Sequence, residues 1–325
     1  MESFSISLES IERRLKNPVS AGILKSAIAL GTLGAWTAFF RLLAMTLVTA
    51  MLISPDTRFS QITDAFASIE LIVSGLGMLT LIILSRALNP LAHPRYDDLI
   101  STWRFEKRFL PGFAVGGALA LIWTLALVAG GTANWVGSNL SYEDAALTLT
   151  NTTLRTLAIL FLVWCDEFFF RNSIQAPLQK SLRTEWAVLV TAIAFSTTKL
   201  IQFDLGRAQW LTLTLVSLNL GLRNLKDGDF GRPAGIWTGF LVLLHPVLSL
   251  PVLGNDIQGL FLVKTFSAPI NPQVGAPTLL DPSSLGRWIS GGLGGPLSSP
   301  ALQLLILLDT IVRWRKHFRV PKTQG

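Results

Sequence analysis

The sequence predicts an all-α, polytopic membrane protein built as an eight-helix transmembrane bundle, and three observations carry that prediction. Half of the 325 residues are hydrophobic and 14% are charged, whereas an ordinary soluble chain carries about a quarter charged residues. Several apolar runs approach or exceed the ~20 residues that a helix needs to cross the hydrocarbon core. The basic residues also collect on alternate connecting segments, as the positive-inside rule requires of a multi-pass protein.

Residues 1–25 mix Phe4, Ile6, Leu8, Ile11 and Leu15 with Glu9, Glu12, Arg13, Arg14 and Lys16. Such a pattern reads as an amphipathic helix on the cytoplasmic membrane surface or as a disordered tail. It has no unbroken apolar core, so no secretory signal is expected. Residues 26–130 hold the N-terminal transmembrane helices Ser26–Ile53, Ala65–Leu84 and Phe109–Ala129. Residues 150–253 form a core of four more: Leu154–Phe170, Trp186–Ile201, Ala208–Leu222 and Gly235–Leu253. Pro177 is expected to end the helical run that begins at Leu154. Residues 254–299, rich in Gly, Pro and Ser, read as a long external loop. The last helix, Pro300–Val312, and a basic tail complete the chain in residues 300–325.

With these spans, one side of the membrane receives 20 of the 27 basic residues and the other side five, while Arg41 and Arg155 fall inside helices. Both termini are therefore expected in the cytoplasm, and the membrane is expected to be the plasma membrane. The net charge of +7 serves topology on this reading. Membrane lipids are the expected surroundings and no nucleic-acid partner is expected. Cys165 is the sole cysteine and there are three histidines, so neither a disulfide nor a cysteine-based metal cage is available. No metal and no cofactor are expected.

Candidate chemistry centres on Asp166-Glu167-Phe168-Phe169-Phe170-Arg171. Charge in a bilayer is costly, so an intramembrane acid pair marks a functional site by default. Helical rise places Asp166 and His245 about 15 Å, and Lys199 about 20 Å, above the inner ends of their helices. Three ionisable groups near one depth can converge in a cavity. Glu167 and Arg171 stand at i and i+4 in the favourable order for a helical ion pair. His245 and Ser249 share a face by the same spacing. A buried carboxylate and a nearby histidine can activate water for attack on a carbonyl, with Lys199 or Ser249 stabilising the oxyanion.

These residues resemble the CAAX prenyl endopeptidase and bacteriocin-processing (Abi or CPBP) family of intramembrane proteins. That family is marked by E-E-x-x-x-R, F-x-x-x-H and H-x-x-x-N on successive membrane helices. The corresponding segments here are Asp166-Glu167-x-x-x-Arg171, Phe195-x-x-x-Lys199 and His245-x-x-x-Ser249. The likeness spans roughly residues 105–250. Glu167, Arg171, Phe195 and His245 are retained, whereas aspartate, lysine and serine replace a glutamate, a histidine and an asparagine. The resemblance implies a CAAX-protease-like helical core that hydrolyses peptide bonds of membrane-associated substrates without a cofactor. It also implies that Asp166 would serve as base and that His245 would polarise the carbonyl.

Two function classes follow from these substitutions. One is an intramembrane endopeptidase acting on a peptide or membrane-protein substrate through Asp166, Glu167, Arg171, Lys199, His245 and Ser249. The other is a catalytically inactive relative that serves as a membrane scaffold, adaptor or immunity factor. A transporter is disfavoured because no internal repeat is visible.

Overall fold

The computed structural model describes residues 31–43, 45–47, 59–88, 107–141, 145–203, 205–228, 230–252, 259–265, 288–291 and 295–318. The expected N-terminal segment 1–25 and most of the expected loop 254–299 lie outside these residues. So do several basic residues used to assign topology, among them Arg13, Arg14, Lys16, Lys25 and Arg95.

The described chain is predominantly helical. Residues 31–43 and 45–47 form α1, and Phe59–Leu88 forms α2. Next come α3 (Phe109–Ala129), strand β1 (Ala133–Ser138) and α4 (Ala145–Phe168). A π-helical segment, Phe169–Gln175, joins α4 to α5 (Ala176–Ser181). The chain continues through α6 (Thr184–Phe203), α7 (Arg207–Asp227) and α8 (Gly231–Val242). A second π turn, Leu243–Val247, extends α8. Strand β2 (Phe261–Thr265) and α9 (Pro300–Phe318) complete the described elements. Among the described residues, three helical runs are long and apolar enough to cross a membrane: Phe109–Ala129, Ala145–Ser181 and Thr184–Phe203.

Phe109–Ala129 coincides with its expected span, because every position in it is compatible with hydrocarbon. The run beginning in α4 differs from expectation. Pro177 does not stop it, since Ala176 N–H reaches back to Arg171 O across a widened turn. A proline in a helix costs a hydrogen bond and a clash with the preceding turn, and the π turn supplies the slack just before it. Pro246 is accommodated in the same way, with Leu248 N–H bonding Leu243 O at 3.0 Å.

The β pair is a second departure from the all-α expectation. β1 and β2 run antiparallel, with Ala133 opposite Thr265 and an irregularity between Trp135 and Gly137. Two short segments more than 120 residues apart in sequence carry no local signal of their pairing.

Glycines set the closest helix crossing. On α3, Gly112 and Gly116 face α8, while Gly235 and Gly239 face α3. A Cβ at Gly116 would lie 1.9 Å from Ile236 O, and one at Gly239 would lie 2.1 Å from Phe113 O. Small residues four apart let two membrane helices bring their backbones together. The paired positions advance together along both chains, so α3 and α8 run parallel. Away from this crossing α3 exposes Leu110, Leu119, Ile122 and Leu125. The remaining helices pack α4 against α2, α6 against α7, and α7 against α9.

Candidate functional site

Asp166 and Glu167 end α4, where the chain enters the first π segment, and both are fully buried. The wider turn also buries three successive phenylalanines, Phe168, Phe169 and Phe170. Phe170 meets Phe195 of α6 edge-on at 5.2 Å between ring centroids. Aromatic packing thereby clamps α4 against α6 beside the acid pair.

The two acids have different partners. Arg171 Nε donates to Glu167 Oε2 at 2.9 Å and Arg171 Nη2 to Glu167 Oε1 at 3.3 Å. This is the expected i to i+4 pair, in bidentate form. The guanidinium also donates to Gln175 Oε1 at 3.1 Å and to Ser217 O at 3.1 Å on α7. A buried guanidinium is tolerated when its donors are matched by fixed acceptors, and this one joins α4, the π segment and α7. Gly221 leaves the room: a Cβ there would stand 3.2 Å from Arg171 Nη1 and 2.9 Å from a Val188 methyl.

Asp166 faces Lys199 instead. The ammonium lies 2.6 Å from Asp166 Oδ2 and donates to Gln202 Oε1 at 2.6 Å. It also stands 5.8 Å and 5.4 Å from the ring centres of Phe195 and Phe203. Asp166 Oδ1 accepts no hydrogen bond from any described residue. Lys199 is 3% exposed, so the pair is removed from bulk water.

Depth agrees with convergence. Asp166 precedes Ser181 by 15 residues, Lys199 follows Thr184 by 15, and His245 follows Gly231 by 14. Each therefore stands about 20 Å from the same end of the bundle at the helical rise per residue. Contact is narrower than depth. His245 is 1% exposed and its Nδ1 lies 3.4 Å from Leu250 O. No hydrogen bond or ion pair among the described residues joins it to Asp166 or Lys199. Ser249 sits at φ 56°, and its hydroxyl is engaged twice. It donates to Phe261 O at 2.7 Å and accepts from Gly259 N–H at 2.7 Å, which fastens the β2 segment to the end of α8.

Residues 148–242 match the family model described as type II CAAX prenyl endopeptidase Rce1-like. That stretch of the chain is Rce1-like. No curated protein and no solved structure matches the chain. The Rce1-like stretch holds Asp166, Glu167, Arg171 and Lys199, and it ends at Val242, just before His245 and Ser249. It also lies within the region carrying the motif resemblance. The matched stretch is thus similar to part of a CAAX-protease-type membrane protein.

Around this stretch the structure adds polar residues that the motifs do not name. Gln175 and Gln202 lie four and three positions after Arg171 and Lys199, a same-face spacing that was visible in the sequence. Ser217 reaches Arg171 from another helix and carried no such signal. Arg155, 1% exposed, donates through Nε to Ser68 Oγ at 3.1 Å. On the α7–α9 contact, Asp309 Oδ2 accepts from Asn219 at 2.8 Å, Arg223 at 3.2 Å and Arg313 at 2.8 Å. Among the described residues, no three His, Cys, Asp or Glu side chains are grouped to hold a metal ion.

Proposed function

We propose that this protein is a membrane-embedded relative of the CAAX endopeptidases that binds membrane-associated peptides without cleaving them, acting as a scaffold or adaptor. The observation that supports this reading is the 2.6 Å contact between Lys199 Nζ and Asp166 Oδ2. Water activation requires a base with a free lone pair. An ammonium has three donors and no acceptor, and its charge favours the ionised carboxylate, so an aspartate held against it is a weaker base toward water. The hydroxyl of Ser249 already serves Phe261 and Gly259, which withdraws it from service to a substrate oxygen. Glu167 and Arg171 brace the site by tying the end of α4 to α7.

Hydrolysis is the second reading, favoured by the Asp166 Oδ1 oxygen that no described residue engages. Under it, substrate entry separates Lys199 from Asp166, Asp166 takes the water proton, and His245 and the released ammonium stabilise the tetrahedral oxyanion. The fold around the site is an eight-span bundle of the plasma membrane with both termini in the cytoplasm, and the partners are a peptide or membrane protein together with bilayer lipid.

Incubating the purified full chain in nanodiscs with a library of membrane peptides separates the readings. The scaffold reading expects binding without turnover in the wild type and in Asp166→Ala, and cleavage appearing only after Lys199→His. Wild-type cleavage that Asp166→Ala and His245→Ala each abolish would overturn it in favour of the enzyme.

A further inference from the structure

A hollow of about 10 Å³ lies between α1, α2 and α6. Three of the side chains around it are polar: Thr37 of α1, Ser74 of α2 and Gln202 of α6. All three are buried, at 5%, 6% and 5% exposure. Polar groups in such a place need hydrogen-bond partners, since none come from bulk water.

Gln202 Oε1 accepts from Lys199 Nζ at 2.6 Å. An ammonium only donates, so this bond fixes the amide with its oxygen toward Lys199 and its Nε2 turned away. Neither Gln202 Nε2 nor Ser74 Oγ hydrogen-bonds to another described residue. Thr37 Oγ1 has given its proton to Leu33 O at 2.7 Å, which leaves it lone pairs to offer. The lining therefore supplies a donor in Gln202, an acceptor in Thr37 and, in Ser74, a hydroxyl able to act as either.

We propose that the hollow binds one water molecule, which accepts from Gln202 Nε2 and donates to Thr37 Oγ1 and Ser74 Oγ. A single water needs roughly 10–15 Å³ and two to four polar partners, and this site meets both conditions. A cation is opposed by the amide N–H groups and by the Lys199 ammonium behind them. An anion is opposed by the lone pairs of Thr37. A methyl-sized apolar occupant would leave the amide donors unmatched, at a cost no hydrocarbon contact offsets in so small a space. Bound there, the water ties α1 and α2 to the amide that holds Lys199. Thr37 and Ser74 thereby become positioning residues for the Asp166–Lys199 pair, although neither touches it. This inference does not depend on whether the protein hydrolyses peptides.

The test is X-ray radiolysis of the full chain in nanodiscs. Ionising a bound water releases hydroxyl radical where the water sits, and the side chains beside it are oxidised. Met78 is 2% exposed, lines the hollow and carries a readily oxidised thioether. It is expected to gain oxygen under X-rays, as mapped by mass spectrometry, and to resist hydrogen peroxide added to the solution. Phe169, 0% exposed and away from the hollow, sets the baseline. Ser74→Val exchanges the hydroxyl for methyl groups that fill the hollow, and should abolish the X-ray oxidation of Met78. Three results would each overturn the proposal: Met78 no more oxidised than Phe169, Met78 oxidised as readily by peroxide as by X-rays, or X-ray oxidation unchanged in a Ser74→Val protein that unfolds like the wild type. Should Ser74→Val fail to fold, the comparison of X-rays with peroxide on the wild type decides alone.

Discussion

Lys199 is the residue on which the chemistry turns. It stands where the resembled family places a histidine, and in this fold it neutralises Asp166 and leans on Gln202. Removing one member of a buried pair strands the other, at about 3–5 kcal/mol, whereas replacing both with apolar groups of similar size is often neutral. Lys199→Met is accordingly expected to lower stability by about that amount, and Asp166→Leu/Lys199→Met to recover most of it, as read by denaturant unfolding in detergent. Equal losses in the single and double variants would contradict the pairing. Gly221 tests the neighbouring pair. A methyl group there presses on Val188 and Arg171 Nη1, so Gly221→Ala should cost about 1–3 kcal/mol through overpacking. Both acids, Arg171, Lys199 and His245 were legible in the sequence as polar residues in apolar runs. The Glu167–Arg171 pair was legible too, from its i to i+4 spacing, but the meeting of Asp166 with Lys199 was not fixed by it, because helical spacing reports only partners on the same helix.

At the scale of elements, the two π turns and the glycine crossing explain how the site is assembled. Each π turn contains one of the motif residues, Arg171 in the first and His245 in the second; the first lies just before Pro177 and the second contains Pro246. Widened turns re-aim side chains and are frequent at functional sites. Pro177→Ala removes the need for slack, and tighter α-helical winding would rotate Arg171 away from Ser217. It is expected to weaken the hold between α4 and α7, seen as faster hydrogen exchange in residues 211–220 compared with wild type. The α3–α8 crossing is less forgiving. At Gly116 the backbone of Ile236 occupies the place of any side chain, and backbone cannot step aside as a rotamer can. Gly116→Val should separate the helices and destabilise the fold by more than the ~1–3 kcal/mol of ordinary overpacking. Unfolding curves that superimpose on the wild type would refute the packing. The glycines are plain in the sequence, but only the crossing shows that they face each other.

For the whole molecule, charge and packing describe the same orientation. The end of the bundle where α5, α7 and α9 finish and where α3, α6 and α8 begin carries Lys107, Arg108, Lys180, Arg183, Lys226, Arg232, Arg315 and Lys316. The parallel course of α3 and α8 requires both to start at that end. The positive-inside rule predicts that this end faces the cytoplasm. A fluorescent protein fused after Gly325 should therefore glow, and alkaline phosphatase fused there should be inactive; the reverse result would invert the topology. Composition, run length and charge asymmetry determined by themselves that this is a helical membrane protein and where its scarce polar residues fall, because those properties reflect transfer of each segment from water to hydrocarbon. Tertiary structure alone decided that Lys199 meets Asp166, that Ser249 fastens β2, and that α7, expected from sequence as the span Ala208–Leu222, turns a face that includes Gln209, Thr212, Ser217 and Asn219 to the interior. Those outcomes depend on which helices become neighbours, and that choice rests on contacts between residues far apart in the chain.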